Sequence, residues 1–272
     1  MNALSVLEEE AVLQREGMAE EVMRRQFAEH VRVSGGDRCV SVKKAQSIME
    51  KNCFGIFEAI RFFDAQYTQA ELMGMGVVPY SESDLRACRK THILFAGHRI
   101  DLIGVREKMT SKLWPGRKTR RGDFSYDEEV YAGKEKGVLA RWYLIKKSVL
   151  PGSFFKTYGQ QEAMLNLEVE ERPSAAEVAY MVAMHMMAKL RPLLDANGQC
   201  AHKLDLYTFN EVVTQSLLLE NCGVWVRGRD SRNCAVIVGF TEVHKGIAIG
   251  NSRPWKPSPN VGLVPSVKPA KI

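Results

Sequence analysis

Apolar residues recur at helical spacing in the N-terminal part of the chain. Over the first 30 residues they fall every three to five positions among Glu and Arg, which predicts a helix with one apolar face. A Ser-Gly-Gly-Asp segment at 34–37 ends this pattern. Residues 42–63 predict a further helix, or a helix pair interrupted at Gly55. The pattern therefore predicts a helical N-terminal region over residues 1–80.

Two pairs of residues have the spacing of a helix-capping box. Thr68 with Glu71, and Ser174 with Glu177, place a hydroxyl and a carboxylate where each accepts a hydrogen bond from a free backbone N–H. The second pair opens a helix over residues 175–194 that is apolar on nearly every side, which is typical of a buried central helix. Its methionines are predicted to fill the core, and His185 is predicted to be a core histidine because no Asp, Cys or Ser lies at a dyad spacing.

Strand patterns begin after a predicted helix at 82–90. Residues 91–105 predict one or two strands, and residues 138–147 predict another that is rich in aromatic and branched side chains. Four short strands are predicted near the end of the chain, at 224–227, 234–240, 246–249 and 261–264. The fold class is therefore predicted as α+β: N-terminal helices, then a mixed α/β region ending in short antiparallel strands, with residues 81–272 forming the second domain.

Composition and charge narrow the class of protein. The 272 residues are 45% hydrophobic and 26% charged, as in ordinary globular proteins. The net charge of +6 is carried by residues 225–272, which hold eight basic and two acidic residues. A second basic cluster at 112–121 precedes an acidic run at 123–129. Two interpretations of these clusters stay open: solvated loops, or contacts to nucleic acid.

The cysteine spacing and the length of the apolar runs indicate the cellular compartment in which we expect the protein. The six cysteines form no C-x-x-C pair, so free thiols in a reducing environment are expected. No stretch approaches the roughly 20 apolar residues that span a bilayer, and the N-terminus is acidic where a signal peptide would be basic. We therefore expect a cytoplasmic protein with no membrane partner.

The common catalytic motifs are missing from the sequence. It contains no G-x-G-x-x-G, no G-x-x-x-x-G-K-[ST] and no G-x-S-x-G. His92 and His98 lie six residues apart and would suit a metal only with a third ligand. We therefore predict no catalytic residue, no cofactor and no metal, and a noncatalytic protein is favoured over an enzyme.

Three motifs carry a resemblance to known proteins. They are the segment PGSFFKTYGQQ at 151–161 after a tryptophan-bearing strand, a helix start at Pro173–Ala175, and a C-terminal pattern. With these motifs the chain resembles an uncharacterised family of bacterial proteins. The C-terminal pattern consists of Val226, Arg227, Ser231, Val236, Val238, Gly239, Phe240, Gly246, Ile247, Ile249, Trp255, Gly262 and Leu263.

The C-terminal tail also resembles the last strands of a C-type-lectin-like fold, the scaffold of variable proteins of diversity-generating retroelements. That resemblance implies short strands that hold an irregular surface whose residues change without unfolding the core. Polar and aromatic residues between the predicted strands are the candidate ligand contacts. They are Arg229, Asp230, Ser231, Asn233, His244, Asn251, Ser252, Arg253, Trp255 and Asn260.

Two functional hypotheses follow from the sequence. The first is a noncatalytic ligand-binding protein whose C-terminal β surface recognises a protein, since Trp supplies apolar contact area while Arg and Asn supply directional hydrogen bonds. The second is a nucleic-acid-associated protein that uses the basic clusters, which fits a pI of about 9.0. The steepness of the salt dependence would separate the two.

Overall fold

A computed structural model describes residues 38–113, 137–193, 223–229, 235–241 and 246–270. In these ranges the chain forms seven α-helices: α1 Val42–Met49, α2 Ile56–Phe63, α3 Gln69–Met75, α4 Glu82–Cys88, α5 Leu102–Leu113, α6 Tyr158–Glu162 and α7 Ala175–Leu190. The strands in the same ranges are β1 Val40–Ser41, β2 Cys53–Phe54, β3 Val77–Val78, β4 His92–Ala96, β5 Trp142–Lys146, β6 Glu170–Glu171, β7 Gly223–Arg229, β8 Ala235–Thr241, β9 Gly246–Ser252, β10 Val261–Gly262 and β11 Ser266–Val267.

The strands form three sheets. A five-stranded sheet has the order β2-β4-β5-β11-β6, in which β2 is parallel to β4 and the other pairs are antiparallel. A four-stranded sheet has the order β10-β7-β8-β9, with β10 parallel to β7. Strands β1 and β3 form a short antiparallel pair. The fold is therefore α+β, as the sequence predicted. The strands at the end of the chain were predicted to be antiparallel, whereas β10 is parallel to β7 and the C-terminal sheet is mixed.

The five-stranded sheet is covered on both faces because successive side chains of a strand point to opposite sides. On one face, Phe95 and Ile145 join a core with residues of α2, α5 and α7. On the other, Leu94 and Trp142 join a core with residues of α1 and α4. Trp142 Nε1 donates to the Met75 carbonyl at 2.8 Å, so the largest buried side chain also satisfies its polar atom.

Helix α7 lies between the two larger sheets. Thirteen of its residues are buried, which confirms the predicted central helix and the predicted core role of its methionines. Tyr180 contacts Phe95 of the five-stranded sheet, with 5.6 Å between ring centroids. Val226 and Val238 of the four-stranded sheet pack into the same core. The order of layers is helices, sheet, helices and sheet, and the C-terminal strands form the outer layer.

The predicted capping boxes are confirmed. Glu71 N donates to Thr68 Oγ1 at 3.2 Å, and Thr68 N donates to Glu71 Oε2 at 2.8 Å. In the second box Ser174 N donates to Glu177 Oε2 at 2.8 Å. Gly55 is the N-cap of α2. The helix pair predicted over residues 42–63 is present, but a 3₁₀ turn at Glu50–Asn52 and strand β2 separate the two helices before Gly55.

The prediction of strand structure throughout 91–105 is wrong in its second half. Strand β4 ends at Ala96, and Leu102 begins α5. Asp101 determines the change, because its Oδ1 accepts a hydrogen bond from Gly104 N at 2.7 Å and so caps the helix. The branched residues that follow Asp101 have a high propensity for β-strands. This local hydrogen bond and the burial of the helix outweigh that propensity.

The N-terminal part of the chain is only partly within the described residues. The predicted helix over the first 30 residues lies outside them. Residues 38–80 supply β1 to β3 as well as helices, and β2 pairs with β4. Strands from both sides of residue 80, the predicted domain boundary, therefore share one sheet.

Three of the cysteines, Cys39, Cys53 and Cys88, are free and partly buried. Cys200, Cys222 and Cys234 lie outside the described residues. Burial raises the pKa of Cys53 to about 12, so its thiol stays protonated at neutral pH. Within the described ranges no helix is both long and apolar enough to cross a membrane.

Candidate binding surface

Two loops that are far apart in sequence are hydrogen-bonded to each other. Phe155 N donates to the Ser258 carbonyl at 3.0 Å, and Tyr158 N donates to the Pro254 carbonyl at 2.9 Å. The PGSFFKTYGQQ motif therefore lies against the tail segment that contains Trp255. We call residues 151–160 and 253–260 the two-loop surface.

The first loop is shaped by local turn chemistry. Ser153 N donates to the Leu150 carbonyl at 3.1 Å, and Gly152 has φ of 74°, which is the geometry of a type II turn with Pro151 before it. Thr157 then caps α6: Gln160 N donates to Thr157 Oγ1 at 3.2 Å, and Thr157 N donates to Gln160 Oε1 at 2.9 Å. Both ends of the loop are fixed by their own sequence.

A network of buried hydrogen bonds joins the two loops. Gln161 Nε2 donates to the Ser153 carbonyl at 2.8 Å and to the Val261 carbonyl at 3.0 Å. Leu263 N donates to Ser153 Oγ at 3.0 Å, and that hydroxyl donates to the Leu150 carbonyl at 2.7 Å. Since Ser153 and Gln161 are fully buried, each of these bonds would be costly to leave unmade.

Arg172 completes this network. It is buried, and its Nε donates to Glu162 Oε2 at 2.9 Å, Nη1 to Gln161 Oε1 at 3.3 Å and Nη2 to the Tyr158 carbonyl at 3.2 Å. Its guanidinium lies 4.0 Å from the centre of the Tyr158 ring. The planar five-donor head of arginine suits this site, in which one buried cation fixes the first helical turn after the loop.

Two aromatic side chains on the two-loop surface face solvent. Phe155 is 70% exposed and Trp255 is 67% exposed, the largest values among the exposed large apolar residues of the described chain. Phe155 also has φ of 57°, in the left-handed region that non-glycine residues rarely adopt. Such strained positions concentrate at functional sites, where the surrounding structure holds them.

The charged residues within the two loops are of one sign. Arg253 and Lys256 are exposed and Lys156 is half-buried. Residues 151–160 and 253–260 contain no Asp or Glu. The two-loop surface therefore presents aromatic rings among cations, on a backbone that three prolines stiffen in the second loop.

The predicted contact residues lie in three groups. Arg253, Trp255 and Asn260 are exposed on the second loop. Arg229 ends β7 and Asn251 and Ser252 end β9; their side chains lie outside what the structure describes, but pairing of Arg229 with Ala235 and of Ala235 with Ser252 puts these strand ends at one end of the sheet. The remaining four residues lie outside the described residues: Asp230, Ser231, Asn233 and His244.

His92 and His98 are in structural positions. Thr91 Oγ1 and His92 Nδ1 are 2.8 Å apart, and His98 Nδ1 lies 3.0 Å from Tyr180 Oη. Burial lowers the pKa of each histidine to about 4, helped by Lys146 near His92 and by Lys108 near His98. Among the described residues no group of three potential metal ligands occurs. The predicted basic cluster at 112–121 lies in the part of the chain whose side chains are not described.

Phe155, the most exposed large apolar residue of the two-loop surface, and the buried Gln161 beneath it were not predicted from the sequence. Phe155 stands in a Phe-Phe pair, which as a pattern indicates burial, and its φ has no sequence signal. The role of Gln161 has no sequence signal, because its partner Val261 is 100 residues away. The density of Pro, Gly, Ser, Thr and Gln in PGSFFKTYGQQ was the available signal.

Comparisons with known proteins give no relative. No family model, no curated protein and no solved structure matches this chain.

Proposed function

We propose that this chain is a noncatalytic protein-binding protein, and that the two-loop surface is where its ligand binds. The observation that carries the proposal is the exposure of Phe155 and Trp255 on loops fixed by a buried polar network. Exposed aromatic side chains forgo favourable burial in the free protein, and they are among the residues that contribute most to binding when a partner covers them.

The rigidity of the support favours binding. The Ser153, Gln161 and Arg172 hydrogen bonds hold both loops before a ligand arrives. A preorganised surface loses less conformational entropy on association than a flexible loop does. The strained φ of Phe155 is consistent with this, because the network maintains a backbone conformation that presents the ring to solvent.

The charge of the surface indicates the chemistry of the partner. With Arg253, Lys256 and Lys156 present and no acidic residue in either loop, an acidic protein surface is electrostatically complementary. The ligand we propose is therefore a protein with carboxylates flanking an apolar recess that receives Trp255 or Phe155. No cofactor or metal is part of this proposal.

We further propose, from the resemblance of the tail, that the β7–β10 sheet is C-type-lectin-like and that its loops are diversified. Sequencing the 3′ end of the gene across a host population tests this. Substitutions concentrated at 229–233 and 244–260, over constant Val236, Gly239, Gly246 and Gly262, are the expected result. A uniformly constant tail would exclude diversification but leave protein binding intact.

A second candidate is binding of single-stranded nucleic acid. The observation that favours it is the same combination of exposed rings and cations, since bases stack on aromatic side chains while lysine and arginine contact phosphates. The logarithm of the affinity for such a ligand falls steeply and linearly with the logarithm of the salt concentration. Measuring the affinity for an oligothymidine at several salt concentrations separates this candidate from the first.

The test of the main proposal compares capture of proteins from a host lysate by the wild-type chain and by variants. Phe155→Ser and Trp255→Ser are expected to lose a captured protein that the wild type retains. Leu139→Ser is the matched control, because Leu139 is also exposed, at 48%, but lies away from both loops in sequence and hydrogen bonding. Equal capture by all four proteins would overturn the proposal.

A further inference from the structure

A cluster of lysines lies at one end of the five-stranded sheet, apart from the two-loop surface. Lys51 belongs to a 3₁₀ turn directly before β2, Lys147 follows β5, and Lys189 is in the last turn of α7. We call these three residues the lysine cluster. They come from three separate elements, so the fold brings them together and the sequence spacing does not.

Contacts between backbone and rings fix these elements relative to one another. Lys147 N donates to the Thr91 carbonyl at 2.8 Å, which fixes the end of β5 beside the start of β4. The rings of Phe54 in β2 and His185 in α7 have centroids 6.2 Å apart. Lys189 is one helical turn after His185 and lies on the same face of α7, towards β2.

Asn52 organises the centre of the cluster. It is buried, its Nδ2 donates to the Arg89 carbonyl at 2.6 Å, and its Oδ1 accepts from Lys147 Nζ at 3.0 Å. The amide therefore fixes the position of the Lys147 ammonium while leaving that ammonium with further donors. A side chain held in this way is preorganised to bind a ligand that accepts hydrogen bonds.

Among the described residues, the three ammonium groups of the lysine cluster form no ion pair. In the described part of the chain, no carboxylate lies within ion-pair distance of Lys51, Lys147 or Lys189. Burial lowers the pKa of Lys147, and the charges of Lys51 and Lys189 lower it further. Like charges placed together without a counter-charge are unfavourable, and an anion bound between them removes that repulsion.

We propose that the lysine cluster binds a phosphate group, either as free phosphate or as a phosphodiester of single-stranded nucleic acid. Ammonium groups bind phosphate oxygens as compact charges, and the buried Asn52 amide orients one of the three. This site is independent of the two-loop surface, so it stands whether or not that surface binds a protein.

The experiment uses the full chain and inorganic phosphate at constant ionic strength. Calorimetry gives the affinity, and the NMR signal of the Asn52 side-chain amide reports the location. Lys51→Gln and Lys189→Gln remove one charge each and leave the bond from Lys147 to Asn52 in place. Each is expected to weaken phosphate binding about fivefold, as for a partly exposed charge contact, and the double variant more.

Lys43→Gln is the matched control, because Lys43 is exposed on α1 and has no ion pair among the described residues. It is expected to bind phosphate like the wild type. A second arm measures competition by an oligothymidine. If the oligothymidine displaces phosphate from the wild type but not from the double variant, the site binds a phosphodiester. If the oligothymidine does not displace phosphate from the wild type, the site binds free phosphate. Non-saturating phosphate titration, or equal affinity in the double variant and the wild type, would overturn the proposal.

Discussion

At the scale of single residues, two positions three residues apart have positive φ. Gly152 has φ of 74° and Phe155 has φ of 57°, both in the first loop of the two-loop surface. Glycine adopts this conformation at no steric cost, whereas a side chain adds about 1–2 kcal/mol. The loop therefore accepts strain at Phe155, where an aromatic ring is displayed, and avoids it at the turn.

Exchanging the residue types at these positions tests the strain directly. Phe155→Gly is expected to raise the free energy of unfolding by about 1 kcal/mol, although it removes the ring. Gly152→Ala is expected to lower it by about 1 kcal/mol. The cost at Gly152 is conformational, because an added Cβ there meets no atom within 4 Å. Urea unfolding measures both, and a loss of stability in Phe155→Gly would contradict the strained conformation.

Arg172 is the second residue whose role can be measured. Arg172→Met keeps much of the volume but leaves Gln161 Oε1 and the Tyr158 carbonyl without this donor, so we expect a loss of about 3 kcal/mol in unfolding free energy. Arg86→Met is the control, because Arg86 pairs with Glu82 on an exposed helix face and its loss costs under about 0.5 kcal/mol. Similar losses in the two variants would show that the buried network is weak.

At the scale of elements, the contact between β10 and the segment before the first loop is unusually close. A Cβ added to Gly262 would lie 2.0 Å from Val149 Cγ1 and 3.1 Å from Val149 Cγ2. Only a glycine permits this approach, and through it the Leu150 N–H reaches the Leu263 carbonyl at 2.7 Å. The packing of β10 therefore positions both loops of the surface.

A double-mutant cycle measures this packing. Gly262→Ala alone is expected to destabilise the protein by about 1–3 kcal/mol through overpacking. Val149→Ala removes both clashing methyl groups, so the double variant is expected to recover part of that loss, with a coupling energy of about 1 kcal/mol. Thermal or urea unfolding of the four proteins gives the cycle. Purely additive effects would show that Gly262 is not held against Val149.

At the scale of elements, some helix starts could be predicted from the sequence, whereas one helix start and one strand pairing could not. The helix starts at Thr68 and Ser174 were predictable because both partners of each box are three residues apart. The start of α5 was missed because branched residues after Asp101 indicate a strand. The parallel pairing of β10 with β7 could not be predicted, since it joins strands almost forty residues apart through a register that leaves no local pattern.

The candidate surface was predictable only in its second half. Arg253, Trp255 and Asn260 stand among prolines and glycines, a composition that indicates an exposed loop. The first loop is also rich in turn-forming residues, but its position beside Trp255 depends on hydrogen bonds such as that from Gln161 to Val261. Contacts across such separations arise from tertiary packing, which one sequence does not encode in any local signal.

At the scale of the whole molecule, two buried histidines link stability to pH. The folded pKa of His92 and of His98 is about 4, below the ordinary value of 6.5. The unfolded chain therefore takes up these protons first as the pH falls. The stability that the neutral imidazoles contribute is fully present above pH 6.5 and is lost as the pH falls from 6.5 to about 4.

We therefore expect the free energy of unfolding to decrease over this pH range, and to decrease less in the double variant His92→Gln/His98→Gln. Urea unfolding at a series of pH values checks this. A wild-type slope that the double variant fully retains would contradict the assignment to these histidines.

The layered architecture gives the whole molecule a simple division of roles. The five-stranded sheet and α7 supply the core, and the four-stranded sheet is held to them by Val226 and Val238 and by the backbone bond from Arg227 N to the Pro173 carbonyl at 2.8 Å. Strand β11 returns the chain to the larger sheet, between β5 and β6. Both ends of the second loop are thus anchored in structured layers.

A protein ligand that binds the two-loop surface as proposed covers Phe155 and Trp255. Hydroxyl-radical footprinting of the wild-type chain, with and without the protein it captures, measures the oxidation rate of each ring directly. We predict strong protection of Phe155 and Trp255 in the complex and an unchanged rate at exposed Leu139. If both rings are oxidised equally fast with and without the captured protein, the two-loop surface is not the binding site.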